Sequence, residues 1–336
     1  MNLAVIGAGY WGVNLVRVFR QLGALYRICD FSTERIETLR GSYAGIEMGT
    51  SIDEVFNDPR VDGIVVATPA ESHYSIASKA LSAGKDVFCE KPLTLRCEEA
   101  QELTDQAARL KRILMVGHLL EYHPAITRLQ QLIEDGQLGR IEYIYSNRLN
   151  LGKVRREENA LWSFAPHDIS VILLLLKQMP IQVSATGGTY LQPNICDVTV
   201  STMLFDRGVR AHLFVSWLHP FKEQKLVVVG TRRMAVFDDV RSNEKLQLYD
   251  KKIDLIEGQF VAEKPKPVPI DFPADEPLLL ECRHFLDCME KRLQPKTDGA
   301  DAWRVLKVLE ASQRSLSTNG EPVQLQPYRS LEFVHA

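Results

Sequence analysis

The run Leu3-Ala4-Val5-Ile6-Gly7-Ala8-Gly9-Tyr10-Trp11-Gly12 constrains the fold more than any other stretch of the chain. An apolar strand leads straight into a glycine triplet, and Tyr10 to Gln21 continues at helical spacing. Gly7 permits a tight turn, Gly9 lets the backbone approach a pyrophosphate at the helix N-terminus, and Gly12 allows the helix to pack closely on the sheet. The next apolar run, Leu25 to Asp30, ends on a carboxylate about 20 residues on, where such an acid accepts hydrogen bonds from the adenosine ribose. A 2′-phosphate would meet that charge, so Asp30 favours NAD over NADP. A plainer reading takes the glycines as a strand–helix turn and Asp30 as a cap for the helix from Ser32. The order of strand, triplet, helix and acid favours the nucleotide site.

The rest of the first third repeats this grammar. Apolar runs at Gly63 to Ala67, Asp86 to Cys89 and Ile113 to Val116 alternate with helical stretches at Ser32 to Leu39, from Ser51, Glu71 to Ala83 and Cys97 to Lys111. That alternation predicts a doubly wound parallel sheet. From about Glu121 the pattern changes. A helix opens at His123-Pro124, and long alternating runs follow at Ile141 to Leu149, Ile181 to Tyr190, Val198 to Phe205, Val209 to Leu218, Leu226 to Val229 and Met234 to Phe237. These predict an α+β domain with a large, open, mainly antiparallel sheet and one inserted helix near Pro166 to Lys177. Lys264 to Pro273 reads as a linker or edge, with helices at Leu278 to Lys291 and Ala300 to Ser315 after it. The expected domains are 1–120, binding a dinucleotide, and 121–336, binding substrate and mediating assembly. Phe214 interrupts the polar face of its run, which suggests cover by a second subunit or an isolated exposed apolar residue.

Composition narrows the partners. Lys+Arg at 40 against Asp+Glu at 43, with a net charge of -3, gives no basic excess for a nucleic-acid binder. No apolar run approaches the roughly 18 residues of a membrane span, and no signal-type segment opens the chain. The six cysteines form no C-x-x-C pair, so reduced thiols and a cytoplasmic location are expected.

Two further motifs carry chemistry. Glu90-Lys91-Pro92 follows a parallel strand, at the edge where open α/β sheets bind ligands, and a lysine there can take a hydroxyl proton; a solvated charge paired to Glu90 is the competing reading. Ala165-Pro166-His167-Asp168 opens a helix, with Pro166 in its first turn and His167 beside the positive helix end, suited to proton transfer or merely capping. His118, Glu121 and His123 lack the spacing of a helical metal pair, so no metal is expected. Arg148, Lys153, Arg155 and Arg156 could grip a phosphate or carboxylate, or form a solvated loop.

AVIGAGYWG, VDGIVVATPAESHYSIASKALSAGKDVFCEKPLT and WSFAPHDISVILLL together resemble the Gfo/Idh/MocA oxidoreductase family over essentially the whole chain. The resemblance implies an N-terminal Rossmann domain, a C-terminal α/β domain with an open sheet, and a sugar, inositol or sugar derivative as substrate, with NAD the cofactor expected from Asp30. It makes Lys91 the lysine that binds and deprotonates the reacting hydroxyl, with Pro92 commonly cis, and His167 the histidine beside it. Many members carry an Asp four residues before that histidine. Here Ser163 stands there, and Asp168 is the candidate substitute. The expected cofactor contacts are Gly7, Gly9, Tyr10, Trp11, Gly12, Asp30, Thr68, Pro69, Glu90 and Lys91; the expected substrate contacts are Lys91, His118, Arg148, Arg155, His167 and Asp168, with Arg148 and Arg155 set there by charge and position. NRLNLGKVRREENALWSFAPHDIS is similar to a subgroup that oxidises the 3-hydroxyl of UDP-N-acetylglucosamine or its uronic acid for surface-polysaccharide or lipid A precursor synthesis. A homodimer or homotetramer is implied. A dehydrogenase of a free sugar or inositol, and a catalytically silent nicotinamide-binding regulator, are the alternatives.

Overall fold

The computed structural model describes residues 1–152 and 154–325. The described residues divide into two compact units, 1–123 with 275–306, and a second drawn from 124–274 with 307–325. The boundary expected at 120/121 falls beside the crossing at His123-Pro124, whereas the return of 275–306 to the first unit is not expressed by a single boundary.

The first unit alternates β1 (Leu3–Ile6), α1 (Gly12–Gln21), β2 (Leu25–Cys29), α2 (Thr33–Arg40), β3 (Glu47–Gly49), α3 (Ile52–Asn57), β4 (Gly63–Val66), α4 (His73–Ser82), β5 (Asp86–Cys89), α5 (Cys97–Leu110) and β6 (Leu114–Val116). The six strands form one parallel sheet in the order β3-β2-β1-β4-β5-β6, the doubly wound arrangement expected. β1, β4 and β5 are buried along their whole length, as strands covered by helices on both faces must be.

The second unit begins with α6 (Pro124–Glu134) and continues through β7 (Ile141–Leu149), α7 (Ala160–Leu176), β8 (Gln182–Gly188), β9 (Val198–Leu204), β10 (Arg210–Ser216), β11 (Glu223–Gly230), β12 (Arg233–Asp238), β13 (Leu246–Asp250), β14 (Ile253–Ile256), β15 (Gln259–Ala262) and β16 (Val268–Pro269). Its nine-stranded sheet runs β16-β13-β12-β11-β7-β10-β9-β8-β17, where β17 is Val323–Gln324. All its pairs are antiparallel except β7 with β10. β14 and β15 form a separate exposed hairpin.

Two C-terminal helices, α8 (Pro277–Lys291) and α9 (Gly299–Ser317), follow. α8 completes the core of the first unit: Phe285 meets Phe19 of α1 and Phe88 of β5 edge-on, with ring centroids 6.5 and 5.7 Å away. Each such pair adds about 0.5–1.5 kcal/mol beyond its buried area. Arg292, just after α8, donates to both carboxylate oxygens of buried Asp86 at 2.6 and 3.1 Å.

Candidate functional site

The glycine loop has the geometry its sequence calls for. Gly7 lies at φ +94, and a Cβ there would stand 2.6 Å from the Ala67 carbonyl oxygen. A Cβ on Gly12 would stand 2.0 Å from the Gly7 oxygen, so only glycine brings α1 this close to the loop. Before Gly9 the space is open: a Cβ there meets nothing within 4 Å. Trp11 precedes α1 without any side-chain cap, and within the first turn Val13 N donates to the Gly9 carbonyl at 3.2 Å and Asn14 N to the Trp11 carbonyl at 2.9 Å. Tyr10 points outward, 93% exposed.

Asp30 stands buried at the end of β2. Its Oδ2 accepts from Ala8 N at 2.7 Å, its Oδ1 from Ser32 N at 2.9 Å, and Arg35 Nη1 reaches both oxygens at 3.0 and 3.1 Å. Burial opposes ionisation, but the Ser32 and Ala8 N–H groups and Arg35 outweigh it and hold the carboxyl below its ordinary pKa. Ser32, not Asp30, caps α2, accepting from Arg35 N at 3.2 Å. The acid instead meets α2 through the Arg35 side chain.

Across the sheet, two loops are pinned together by His73, a residue the motif reading passed over. Its Nδ1 bonds the Pro92 carbonyl at 2.7 Å and its Nε2 the Thr68 carbonyl at 2.8 Å. Burial, opposed by those two carbonyls, keeps this imidazole below its ordinary pKa. Thr68 Oγ1 and the Pro69 carbonyl both accept from Ser72 Oγ at 2.7 Å. Both loop residues thus serve the turn leading into α4. The Lys91-Pro92 bond is cis. Glu90 is nearly buried; its Oε1 accepts from Trp11 Nε1, linking β5 to the glycine loop, and its Oε2 accepts from Lys91 N at 3.3 Å. Burial raises the Glu90 pKa against the pull of Trp11 and Lys91.

His118 is only 2% exposed, and its Nδ1 bonds Asp301 Oδ2 at 2.7 Å. That bond ties the turn after β6 to α9 inside the first unit. His118, Glu121 and Asp301 each offer a ligand atom within 4.8 Å of the others. Arg304 Nη2 bonds Asp301 at 2.9 Å, and Lys296 Nζ bonds the Glu121 backbone carbonyl at 2.6 Å.

In the second unit the helix carrying His167 begins earlier than expected. Asn159 caps α7, its Oδ1 accepting from Trp162 N at 3.1 Å, so Pro166 lies inside the helix and His167 in its middle. The expected position beside the positive helix end is thus corrected. The helix outlasts its proline because its face from Ile169 to Leu173 is buried, and that packing outweighs the lost bond. Ser163 sits one turn before His167 on the same side of the helix. Asp168 points elsewhere, toward β7: its Oδ2 accepts from Arg148 Nε at 2.6 Å and its Oδ1 from Ser146 Oγ at 2.6 Å. Both partners are buried, Arg148 at 9% and Asp168 at 4% exposure. The two expected substrate contacts are thus bonded to each other. Arg155 is exposed and pairs with Glu158 at 3.0 Å, and its carbonyl accepts from Gln192 Nε2. Lys153 lies outside the described residues.

Residues 1–118 match the oxidoreductase family with an NAD-binding Rossmann fold, and residues 126–236 match the GFO/IDH/MocA C-terminal domain. The chain belongs to the Gfo/Idh/MocA family. Among its Gfo/Idh/MocA relatives, UDP-N-acetylglucosamine 3-dehydrogenase from Acidithiobacillus ferrooxidans is 25% identical over 91% of this chain and 94% of its own. The scyllo-inositol 2-dehydrogenase (NAD(+)) of Bacillus subtilis is 26% identical, over 82% of this chain and 81% of its own. The alignment spans about half the length of other relatives, such as 2,7-anhydro-N-acetylneuraminate hydratase from Mediterraneibacter gnavus, at 26% identity over 56% of this chain and 52% of that one. A crystal structure of the Acidithiobacillus enzyme superposes with a TM-score of 0.83 at 24% identity, covering 95% of this chain and 98% of that one, and shows the same fold.

The first unit fits NAD. The open space before Gly9, the close approach of α1 to the loop at Gly12 and the Asp30 carboxylate after β2 are features a dinucleotide requires.

Proposed function

We propose that this Gfo/Idh/MocA protein is an NAD-dependent dehydrogenase that oxidises a ring hydroxyl of a sugar to a ketone, with the 3-hydroxyl of UDP-N-acetylglucosamine or a related UDP-sugar as its substrate. The observation that carries the reading is Lys91, set at the carboxyl end of β5 in an NAD-binding unit whose loop is tied to the same strand end through Trp11 and Glu90. NAD+, when bound, supplies the hydride acceptor. Lys91 accepts the hydroxyl proton, and His167 serves as a second acid–base group. The nucleotide-sugar choice draws on the relative aligned over 91% of the chain. With Arg148 committed to Asp168, exposed Arg155 is left to meet the diphosphate, with Arg156 beside it.

The test is NADH absorbance at 340 nm against UDP-sugars, free hexoses and inositols, with Lys91→Ala as the control. Reduction of NAD+ by UDP-N-acetylglucosamine, lost in the variant while NAD+ still binds, supports the proposal. Reduction by free inositol or hexose alone transfers it to a polyol dehydrogenase, the reading favoured by the loss of Arg148 from the basic set and by the inositol-oxidising relative.

We propose a cytoplasmic location, which the six free cysteines suit; no helix among the described residues is long and apolar enough to cross a membrane. We also propose self-association as a homodimer or homotetramer through the sheet of the second unit. Its face opposite α7 presents half-exposed Tyr143 and Val200, together with the stacked Tyr145–His212 pair.

A further inference from the structure

Asp30 is the residue that separates NAD from NADP, and in this fold its carboxylate is already taken. A carboxylate offers about four acceptor positions. Asp30 fills them with bonds from Ala8 N and Arg35 Nη1 on Oδ2, at 2.7 and 3.0 Å, and from Ser32 N and Arg35 Nη1 on Oδ1, at 2.9 and 3.1 Å. Two of the donors are backbone groups, fixed by the glycine loop and by the turn into α2. The third is the end of a long side chain, 48% exposed, whereas the Asp30 side chain is 6% exposed. Arg35 lies in the first turn of α2, and its own N–H is held by Ser32 Oγ at 3.2 Å, so its backbone is fixed while its guanidinium can swing. An adenosine ribose with free 2′- and 3′-hydroxyls bonds to the acceptor positions that Arg35 holds; the guanidinium therefore has to leave before NAD can use them.

The same contact removes the usual reason for rejecting a 2′-phosphate. A bare carboxylate after β2 repels that group, but Asp30 is ion-paired, and its partner is the side chain best shaped to bind phosphate oxygens. Both bonds to Asp30 come from Nη1, which leaves Nε and Nη2 of Arg35 as donors. Around it, Glu34 is exposed one residue back on α2, Arg40 pairs with Glu37 at 3.0 Å, and Arg27 of β2 is engaged by Glu54 of α3. We propose that Arg35 selects the cofactor and lets the first unit take NADP(H) as well as NAD(H): it keeps Nη1 on Asp30 and turns its other donors to a 2′-phosphate, and it swings off Asp30 when the ribose carries two free hydroxyls. The proposal rests on the first unit being a nicotinamide-dinucleotide site and adds a second cofactor to it.

Fluorescence titration of the full chain with NADH and with NADPH, without any sugar present, reads the choice directly. Wild type is expected to bind NADPH within about tenfold of NADH. In Arg35→Ala, Asp30 keeps its two backbone donors and loses its counter-charge. NADPH affinity then falls at least about tenfold, through the loss of charge-assisted bonds to the phosphate, while NADH affinity stays within about threefold or improves. Arg35→Lys keeps the charge without the planar fork and is expected between the two. A wild-type affinity for NADPH more than about tenfold below that for NADH overturns the proposal. So does an Arg35→Ala protein that loses NADH and NADPH affinity by the same factor, which is what a purely structural Arg35 would do. Should Arg35→Ala fail to fold, the same ratio measured for Arg35→Lys and wild type decides. Binding of neither cofactor would overturn the nucleotide site itself, a result distinct from the binding of NADH alone.

Discussion

Replacing Asp168 by alanine separates the two roles that Arg148 could play. The change removes both guanidinium bonds and the Ser146 bond, and leaves Arg148 charged at 9% exposure with no partner from α7. Stranding one member of a buried ion pair costs about 3–5 kcal/mol. With a urea slope of about 2 kcal/mol per molar, that lowers the unfolding midpoint of the second unit by about 1.5–2.5 M. Arg148→Met strands Asp168 instead and costs a similar amount, about 3 kcal/mol. The double variant Arg148→Met, Asp168→Leu removes both charges and recovers most of the loss, because a buried pair replaced by apolar groups is close to neutral. Urea unfolding followed by tryptophan fluorescence measures all three, and steady-state kinetics of the double variant completes the cycle. A pair that only braces α7 against β7 leaves KM within about threefold in the double variant. An Arg148→Met protein that unfolds like the wild type but shows KM for a nucleotide sugar raised tenfold or more would refute this reasoning and return Arg148 to the substrate.

Gly12→Ala drives a Cβ against the Gly7 carbonyl and is expected to lower both thermal stability and NAD+ affinity, whereas Gly9→Ala fills open space and loses NAD+ affinity at nearly unchanged Tm; fluorescence titration and a melting curve distinguish them. Asp30 has a depressed folded-state pKa, so it stabilises the fold above its unfolded value of about 3.9 and loses that contribution as pH falls through the lower folded value. The gap in urea midpoint between wild type and Asp30→Asn should therefore stay constant above about pH 5 and shrink as pH falls below the unfolded value of about 3.9. His73→Ala frees the loops at Thr68 and Pro92 together, and a rise in KM for NAD+ with an intact second unit is expected from kinetics and circular dichroism. Val200→Glu on the open sheet face should lower the mass seen by light scattering if that face joins subunits.

The features legible from sequence were those whose causes are local. The strand, glycine triplet, helix and acid from Leu3 to Asp30 are set by short-range sterics and spacing, and the structure keeps them in that order. The same holds for β7, whose alternation marks both its ends. Pro166 misled because the rule that puts proline in a first turn is local, while α7 is held by buried side chains and by Asn159 seven residues upstream. Asp168 and Arg148 could not be paired by reading along the chain, since α7 and β7 meet only when the sheet forms. The meeting of His118 with Asp301 likewise depends on the late return of α9. β13 went unread because Leu246-Gln247-Leu248 is a short run after a polar loop.

That late return sets an order on synthesis. Phe19 and Phe88 emerge from the ribosome long before Phe285, and at about 5–20 residues per second the nascent first unit waits about 10–40 s for its third ring. During that interval it exposes the groove of α1 and β5 that α8 will fill, while the inserted unit, most of which is already made, can begin to fold. A fragment cut at residue 120 is the permanent form of that waiting state, and is expected to bind chaperones and precipitate rather than serve as a free nucleotide-binding domain.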